Sequence, residues 1–290
     1  MSEIMAEIGG LAIGDAYPTR LMGVINLSAE SFYKGSYAPD DDAILSTAQS
    51  MMAMGASFVD LGARSTAPGV EPITIDEEER RISGPFELLC QQMPHELLLS
   101  IDTQYGQVAR VCYEIANQYN RNIILNDVSC LRTDTDLQNF VIETQIPTIL
   151  MASKHVPGDC LTMEEILHEL NVSINYLVIN GYPCERIIVD PGIGHWVPEK
   201  VPSYDLAIIN RLQELHALKL PVLVAISRKS FIGAVLDLPH PEDRLQGTLA
   251  ATAIAVFNGA HIIRTHDVNA ETVQTIKIAE SIRNCFLPHI

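Results

Sequence analysis

Nowhere does this chain carry the ~20-residue apolar run that a bilayer span requires. Its N-terminus, MSEIMAEIGG, is acidic and lacks the charged-then-apolar layout of a secretion signal. These two absences argue against a membrane partner and for a cytoplasmic protein. Basic residues are scarce, with 19 Lys and Arg against 36 Asp and Glu, a formal charge of −17. No basic face is visible, so a nucleic-acid partner is not expected. An anionic ligand would have to meet a local positive island, which makes any clustering of Lys, Arg and His near loop motifs informative. The six cysteines (Cys90, Cys112, Cys130, Cys160, Cys184, Cys285) contain no CxxC pair. That spacing argues against a zinc knuckle or a disulfide framework and suits a reducing compartment, with most of the thiols acting as small buried hydrophobes.

What the chain does have is a repeated apolar run. Its 290 residues, 47% hydrophobic, fit one large α/β barrel or two small domains, and barrels of about 250 residues are routine. The runs are LMGVIN (21–26), SFVDLG (57–62), LLLSID (97–102), NIILND (122–127), PTILMA (147–152), RIIVDP (186–191), PVLVAI (221–226) and HIIRTH (261–266). Each reads as a strand buried on both faces, as parallel sheets require. Amphipathic stretches lie between them, among them DDAILSTAQSMMAMG ending in Gly55 and LQGTLAATAIAVFNG ending in Gly259, each glycine suited to the left-handed turn past a helix. Eight such units predict an α/β fold that is a single (β/α)8 TIM barrel over residues 21–290, with a doubly wound open sheet as the rival. Residues 1–20 have no partner in the pattern and read as an N-terminal extension that caps the barrel bottom or forms a short hairpin.

The polar residues sit at the ends of the runs. Asn26, Asp60, Asp102, Asn126, Asp190 and the pair Arg264/His266 terminate six of them, and the seventh leads straight into Arg228 and Lys229. Any one such Asp or Asn is ordinarily a helix cap or a loop hydrogen bond. In a parallel barrel, however, all strand C-termini open on one face, and that is where barrel enzymes do their chemistry. Together these residues predict one site on that rim.

MGVINLSAESFYKGS (22–36) and VDLGARSTAPG (59–69) resemble the two substrate loops of the dihydropteroate synthase family. SIDT (100–103), LNDVS (125–129), IIVDPGIG (187–194), AISRKSFIG (225–233), GTLAAT (247–252) and RTHDV (264–268) continue the resemblance in the family's order, over about residues 20 to 280. The resemblance implies a transferase that couples 6-hydroxymethyl-dihydropterin pyrophosphate to p-aminobenzoate, releasing pyrophosphate, in folate or methanopterin-type biosynthesis. It further implies Mg2+ as cofactor and a homodimer formed through the outer helices, for which the nearly all-apolar helix after strand 7 is a candidate.

Residue by residue, the resemblance makes Asp190 the buried carboxylate that accepts from the two donors of the pterin's amino-pyrimidinone edge. Asn126 complements that edge, and Lys229 donates to its acceptors. Asp102 lies near the second ring and stabilises positive charge as pyrophosphate leaves. Arg228 stacks its guanidinium on the ring system. Asn26, Arg264 and His266 take the pyrophosphate, Asn26 also facing Mg2+, which needs few protein ligands beside phosphate oxygens and water. Ser230, at the helix start, receives the aminobenzoate carboxylate, with Thr66, Pro68 and His195 lining the same arylamine subsite. Asp267 orients His266 or caps the last helix, and His261, on the same strand, reads as structural.

The departures from the family pattern lie mainly in the loops. N-V-T-P-D-S-F-S-D-G becomes NLSAESFYKG, with Ser28, Ala29 and Glu30 replacing Thr, Pro and Asp, and Lys34 standing where an acid is usual. In the second loop G-E-S-T-R-P-G becomes GARSTAPG: Arg64 replaces Glu and Ala67 replaces Arg, so Arg64 either restores the lost charge or serves another partner. L-M-H-M becomes LMASKH, and His195 stands where an aromatic is common. The pterin half of the site is therefore kept and the arylamine half altered, which leaves p-aminobenzoate and a larger arylamine both open as acceptor. A methyltransferase passing a methyl group from a methyl-tetrahydropterin to a corrinoid protein is the alternative from another reaction class, and a non-catalytic pterin binder is a third.

Overall fold

The eight apolar runs form eight parallel strands: β3 (Arg20–Asn26), β4 (Phe58–Gly62), β5 (Leu98–Asp102), β6 (Ile123–Asp127), β7 (Thr148–Met151), β8 (Ile187–Asp190), β9 (Leu223–Val224) and β10 (Ile262–Thr265). The order is β8-β7-β6-β5-β4-β3-β10-β9, and the parallel bridge Val189↔Val222 joins the two ends. The chain is thus a (β/α)8 barrel and not an open doubly wound sheet. This computed structural model describes residues 3–28, 35, 37–38, 40–65, 70–195 and 197–285.

Helices follow the strands: α1 (Asp41–Ala53), α2 (Ile75–Gln92), α3 (Gly106–Gln118), α4 (Thr135–Thr144), α5 (Met163–Ile179), α6 (Pro202–Asn210), α7 (Ser230–Leu236), α8 (Leu245–Phe257) and α9 (Ala270–Arg283). Side chains satisfy the first free amides of several of them. Asp40 caps α1, Thr74 caps α2, Asp134 caps α4, and Thr162 with Glu165 makes a reciprocal box on α5. α9 is capped by Asn269, so Asp267 is not its cap.

Residues before Arg20 form an antiparallel hairpin of β1 (Met5–Ile8) and β2 (Leu11–Gly14). Its Ala6, Ile8 and Ile13 pack on a layer to which every barrel strand or its extension contributes, among them Phe58, Leu98, Ile124 and Ile188. The hairpin therefore plugs the barrel bottom, and the buried side chains between strands and helices form the other, larger cluster.

His261 ties the hairpin in place. The Val222 amide donates to its Nδ1 at 3.0 Å, and Nε2 faces Asp15 Oδ1 at 3.1 Å. Asp15, His216 and His261 bring ligand atoms within 4.8 Å of one another. A cation there would need the Nε2 lone pair of His261, whose Nδ1 lone pair is already taken by Val222; the ring would have to be an imidazolate. The structural reading of His261 is the one the geometry favours.

Side chains alternate along each strand, so inward positions recur every second residue. Two residues beyond the bottom layer the inward positions turn polar: Asp60 after Phe58, Ser100 after Leu98, Asn126 after Ile124, Asp190 after Ile188 and Arg264 after Ile262. Two residues further come Asn26, Asp102, Ser227 and His266. An apolar floor under two polar tiers is what the strand periodicity dictates, and it puts the chemistry at the C-terminal mouth.

Candidate active site

At the centre of the mouth, Arg264 bridges two carboxylates. Its Nε donates to Asp60 Oδ2 at 2.6 Å and its Nη2 to Asp102 Oδ2 at 2.8 Å. Asp60 Oδ2 also accepts from Asn126 Nδ2 at 3.0 Å. Asp60 is fully buried, and among the described residues its Oδ1 has no hydrogen-bond partner. Burial raises the Asp102 carboxyl above its ordinary range, and the nearby Asp60 charge adds to this against the pull of Arg264.

Asp190 is 5% exposed, and the Gly192 amide donates to its Oδ1 at 2.7 Å. Burial lifts its pKa to about 6, with that amide and the Lys229 charge pulling the other way. Lys229 answers it from the start of α7: burial, then the charge of Arg264, bring its ammonium down to about 8, while Asp190 holds it up. The Lys229 stem runs over Gly194, where a Cβ would lie 2.6 Å from Lys229 Cγ and φ is +73°. The last glycine of DPGIG is thus required twice, by backbone and by close approach.

His266 is held by Ser227, whose Oγ accepts from the His266 amide at 3.2 Å and lies 3.0 Å from Nδ1. Burial and the cations Arg264, Lys229 and Arg228 lower its pKa to about 3. A neutral imidazole meets an anion as a hydrogen-bond donor and not as a charge. Ser227, not Asp267, orients this ring; Asp267 is engaged by Arg228.

Arg228, expected to stack on the ring system, has its in-plane donors engaged by the protein. Its Nε and Nη2 grip Asp267 at 2.8 and 2.7 Å, and Nη1 donates to the Pro241 and Glu242 carbonyls at 2.9 and 2.8 Å. The side chain is nearly buried and the residue sits at φ +56°. This arginine braces the loop between α7 and α8, because a guanidinium with this many fixed acceptors has little donor capacity left for a ligand.

Arg64 likewise meets a buried carboxylate. Its Nε pairs with Glu78 Oε2 at 2.6 Å, and its guanidinium lies 4.8 Å over the Tyr105 ring. Glu78, fully buried on α2, also accepts from Thr103 Oγ1 at 2.6 Å. Arg64 is thereby tied to α2 through Glu78 and to the segment after β5 through Tyr105. Ala29, Glu30, Lys34, Thr66, Ala67 and Pro68 lie outside the described residues.

His195 and Ser230 come together at a cavity of about 170 Å³, which Lys200, Asp205 and Phe231 also line. Lys200 is buried against Asp205 and the Gly192 carbonyl, both at 3.0 Å, and Asp205 accepts from the Gly194 amide at 2.8 Å. This pair clamps the turn that follows Asp190. Burial, and then Lys229, push the His195 pKa well below its ordinary value. Ser230 is exposed at the start of α7, which has only seven residues. Its macrodipole is correspondingly short, and an anion at Ser230 would rely on the hydroxyl and nearby side chains. Asn26 lies at the end of β3, in register with Gly62, which pairs with Asp102.

Residues 22–266 match the family described as pterin binding enzyme. Over 282 residues the chain is 32% identical to the dihydropteroate synthase of Escherichia coli strain K12, covering 94% of each chain. It is similar to the structure of a Coxiella burnetii dihydropteroate synthase in complex with pteroic acid, at 33% identity and TM-score 0.83 over 97% of this chain and 99% of that one. A second likeness is to a Xanthomonas albilineans dihydropteroate synthase with 4-aminobenzoic acid, at 28% identity and TM-score 0.82 over 98% and 100%. The chain belongs to the dihydropteroate synthase family.

For a dihydropteroate synthase family member, sequence reasoning found most of the mouth but missed several of its supports. Glu78, Ser227, Lys200 and Asp205 carried no assigned role, and Asp60 was noticed only as a strand end. Glu78 had a legible signal: it falls between Ile75 and Ile82 at helical spacing, on the face that packs inward. Ser227 is two residues past Ala225 on the inward parity. The Lys200–Asp205 clamp had no comparable signal.

Proposed function

We propose that this chain, a transferase of the dihydropteroate synthase type, joins 6-hydroxymethyl-7,8-dihydropterin pyrophosphate to p-aminobenzoate or a related arylamine. The amine nitrogen bonds to the pterin's exocyclic methylene carbon, the bond from that carbon to the pyrophosphate oxygen breaks, pyrophosphate leaves with the electron pair, and the amine gives up a proton. The observation that carries the reading is the buried pair Asp190 and Asn126 with the half-buried Lys229 beside Asp190 at one mouth. A carboxylate accepting from the pterin's 2-amino and N3 groups, an amide beside it, and an ammonium for O4 and N5 match the heterocycle's donor and acceptor order. Asp102, when ionised, stabilises positive charge on the departing side. Among the described residues Arg264 Nη1 has no partner, which leaves it as that side chain's donor to the anion. The solved relatives with pteroic acid and 4-aminobenzoic acid support the same substrates. The methyltransferase alternative has no comparable support.

The charge balance supports magnesium. Asp60, Asp102 and Asp190 set three carboxylates against the two cations Lys229 and Arg264, while Arg228 and Lys200 are paired with Asp267 and Asp205. The expected positive island is therefore absent among the described residues, and the pyrophosphate charge needs an added cation. The neutral Asn26 carboxamide suits a Mg2+ held chiefly by phosphate oxygens and water, and such an ion would supply charge neutralisation for the leaving group.

A second copy of the chain is the partner we propose for the outer helices. Leu236, Ile254, Phe257, Ile278 and Ile282 on α7, α8 and α9 are each about half exposed, so α8 is not apolar simply for burial against its own barrel. Light scattering should return the mass of a dimer, and a monomer would refute this. Among the described residues no helix is long and apolar enough to cross a membrane. The six cysteines are all free thiols, which supports a cytoplasmic setting.

The deciding experiment measures pyrophosphate release with Mg2+, with and without p-aminobenzoate. Release coupled to dihydropteroate formation supports the full reading. Release without coupling points to another arylamine, and no release in either case overturns it.

A further inference from the structure

We propose that Asp60 is a positioning residue for the pterin site, holding Arg264 and Asn126 in the attitude that receives the pterin pyrophosphate; the inference rests on the function proposed above. The role does not follow from being at a strand end. Asp60 lies one inward tier below Asp102, with Phe58 of the apolar floor beneath it, and cannot reach solvent. Its Oδ2 receives two donors from two other strands, Arg264 Nε at 2.6 Å and Asn126 Nδ2 at 3.0 Å. Its Oδ1 receives none among the described residues.

A buried carboxylate with one oxygen unmet is tolerated only while its counter-ion stays in place. Arg264 is accordingly fixed by Asp60 at Nε and by Asp102 at Nη2, a two-point hold that fixes the guanidinium plane and aims Nη1. Asn126 is oriented by the same bond. Its Nδ2 is turned to Asp60, so its Oδ1 is the atom presented elsewhere, and the amide reads the pterin edge as an acceptor. A single carboxylate that touches no substrate thereby sets the polarity of one pterin contact and the direction of one anion contact.

Asp60 also acts at a distance on Asp102. The charged groups facing Asp102 are Asp60 from β4, Arg264 from β10, Glu78 from α2 and Asp127 from β6. Of the three anions, Asp60 raises the Asp102 pKa most. Neutralising Asp60 lets Asp102 ionise at lower pH, a change that a purely structural residue would not produce.

The test compares Asp60→Asn and Asp60→Ala with the parent protein and with Arg264→Ala. Measured are pyrophosphate release across pH, the binding of 6-hydroxymethylpterin by calorimetry, and thermal melting. Asp60→Asn keeps an acceptor for Arg264 and Asn126 while removing the charge. It is expected to stay folded, to bind the pterin within about 10-fold of the parent, and to show an acid limb of kcat/KM displaced to lower pH. Asp60→Ala is expected to lose at least 100-fold in kcat/KM. In the Arg264→Ala background the same change is expected to cost under 10-fold, because the residue it positions is gone.

Equal losses in both backgrounds would overturn the proposal, as would an Asp60→Asn profile superimposable on the parent's. If Asp60→Ala does not fold, the pH profile of Asp60→Asn decides. A parent protein that neither binds the pterin nor releases pyrophosphate would instead sink the function proposed above, which keeps the two failures distinct.

Discussion

Replacing Arg64 by alanine tests whether the altered second loop is anchored by the buried ion pair. Glu78 is fully buried and Arg64 is 12% exposed at the side chain, with 2.6 Å between Nε and Oε2. Removing the arginine leaves a buried carboxylate to which, among the described residues, only the Thr103 hydroxyl donates. Breaking a buried pair in this way costs about 3–5 kcal/mol. At roughly 2.1 cal/mol/K per residue, an unfolding chain of 290 residues gains about 0.6 kcal/mol/K, so melting should fall by about 5–8 °C. The double change Arg64→Met with Glu78→Leu removes both charges and fills the volume, and should recover most of that loss. Circular dichroism melts of the parent, single and double variants measure both effects. A single variant melting within 1 °C of the parent would refute the account, and so would a double variant no better than the single.

Other consequences are independent of that pair. Pterin affinity should peak between about pH 6 and pH 8. Asp190 must be anionic to accept, and is lost as pH falls through about 6; Lys229 must be cationic to donate, and is lost as pH rises through about 8. Calorimetry from pH 5 to 9 giving a flat profile would contradict both assignments. Lys229→Met should weaken pterin binding about 10- to 100-fold, the value of a hydrogen bond from a charged group, with little change in melting. Ile13→Ala, in the fully buried bottom plug, should cost about 2–5 kcal/mol of stability yet leave kcat within twofold. A large change in kcat there would mean that floor and mouth are coupled.

Much of this molecule was legible along the chain. Each of the eight runs became a strand within a few residues of its expected bounds, because parallel strands buried on both faces leave a nearly continuous apolar signal. Gly55 and Gly259 follow α1 and α8 at φ +98° and +99°. The polar ends of those runs face one mouth, as the shared direction of the strands requires. What the chain alone did not display was which partners the arginines take: Arg228 and Arg64 each bond a carboxylate, 39 and 14 residues away in sequence.

Residue order and period therefore determined the strands, their inward tiers and the rim on which function was sought. These depend on spacing within a run, which a sequence displays directly. Which charges remain available for a ligand was decided only when the barrel closed. The Arg264–Asp60 bond spans 204 residues and the Asn126–Asp60 bond spans 66, and neither has a local signature. A buried charge takes whatever partner the closed barrel brings within reach, so its role follows from the packing of distant strands and not from the motif that contains it.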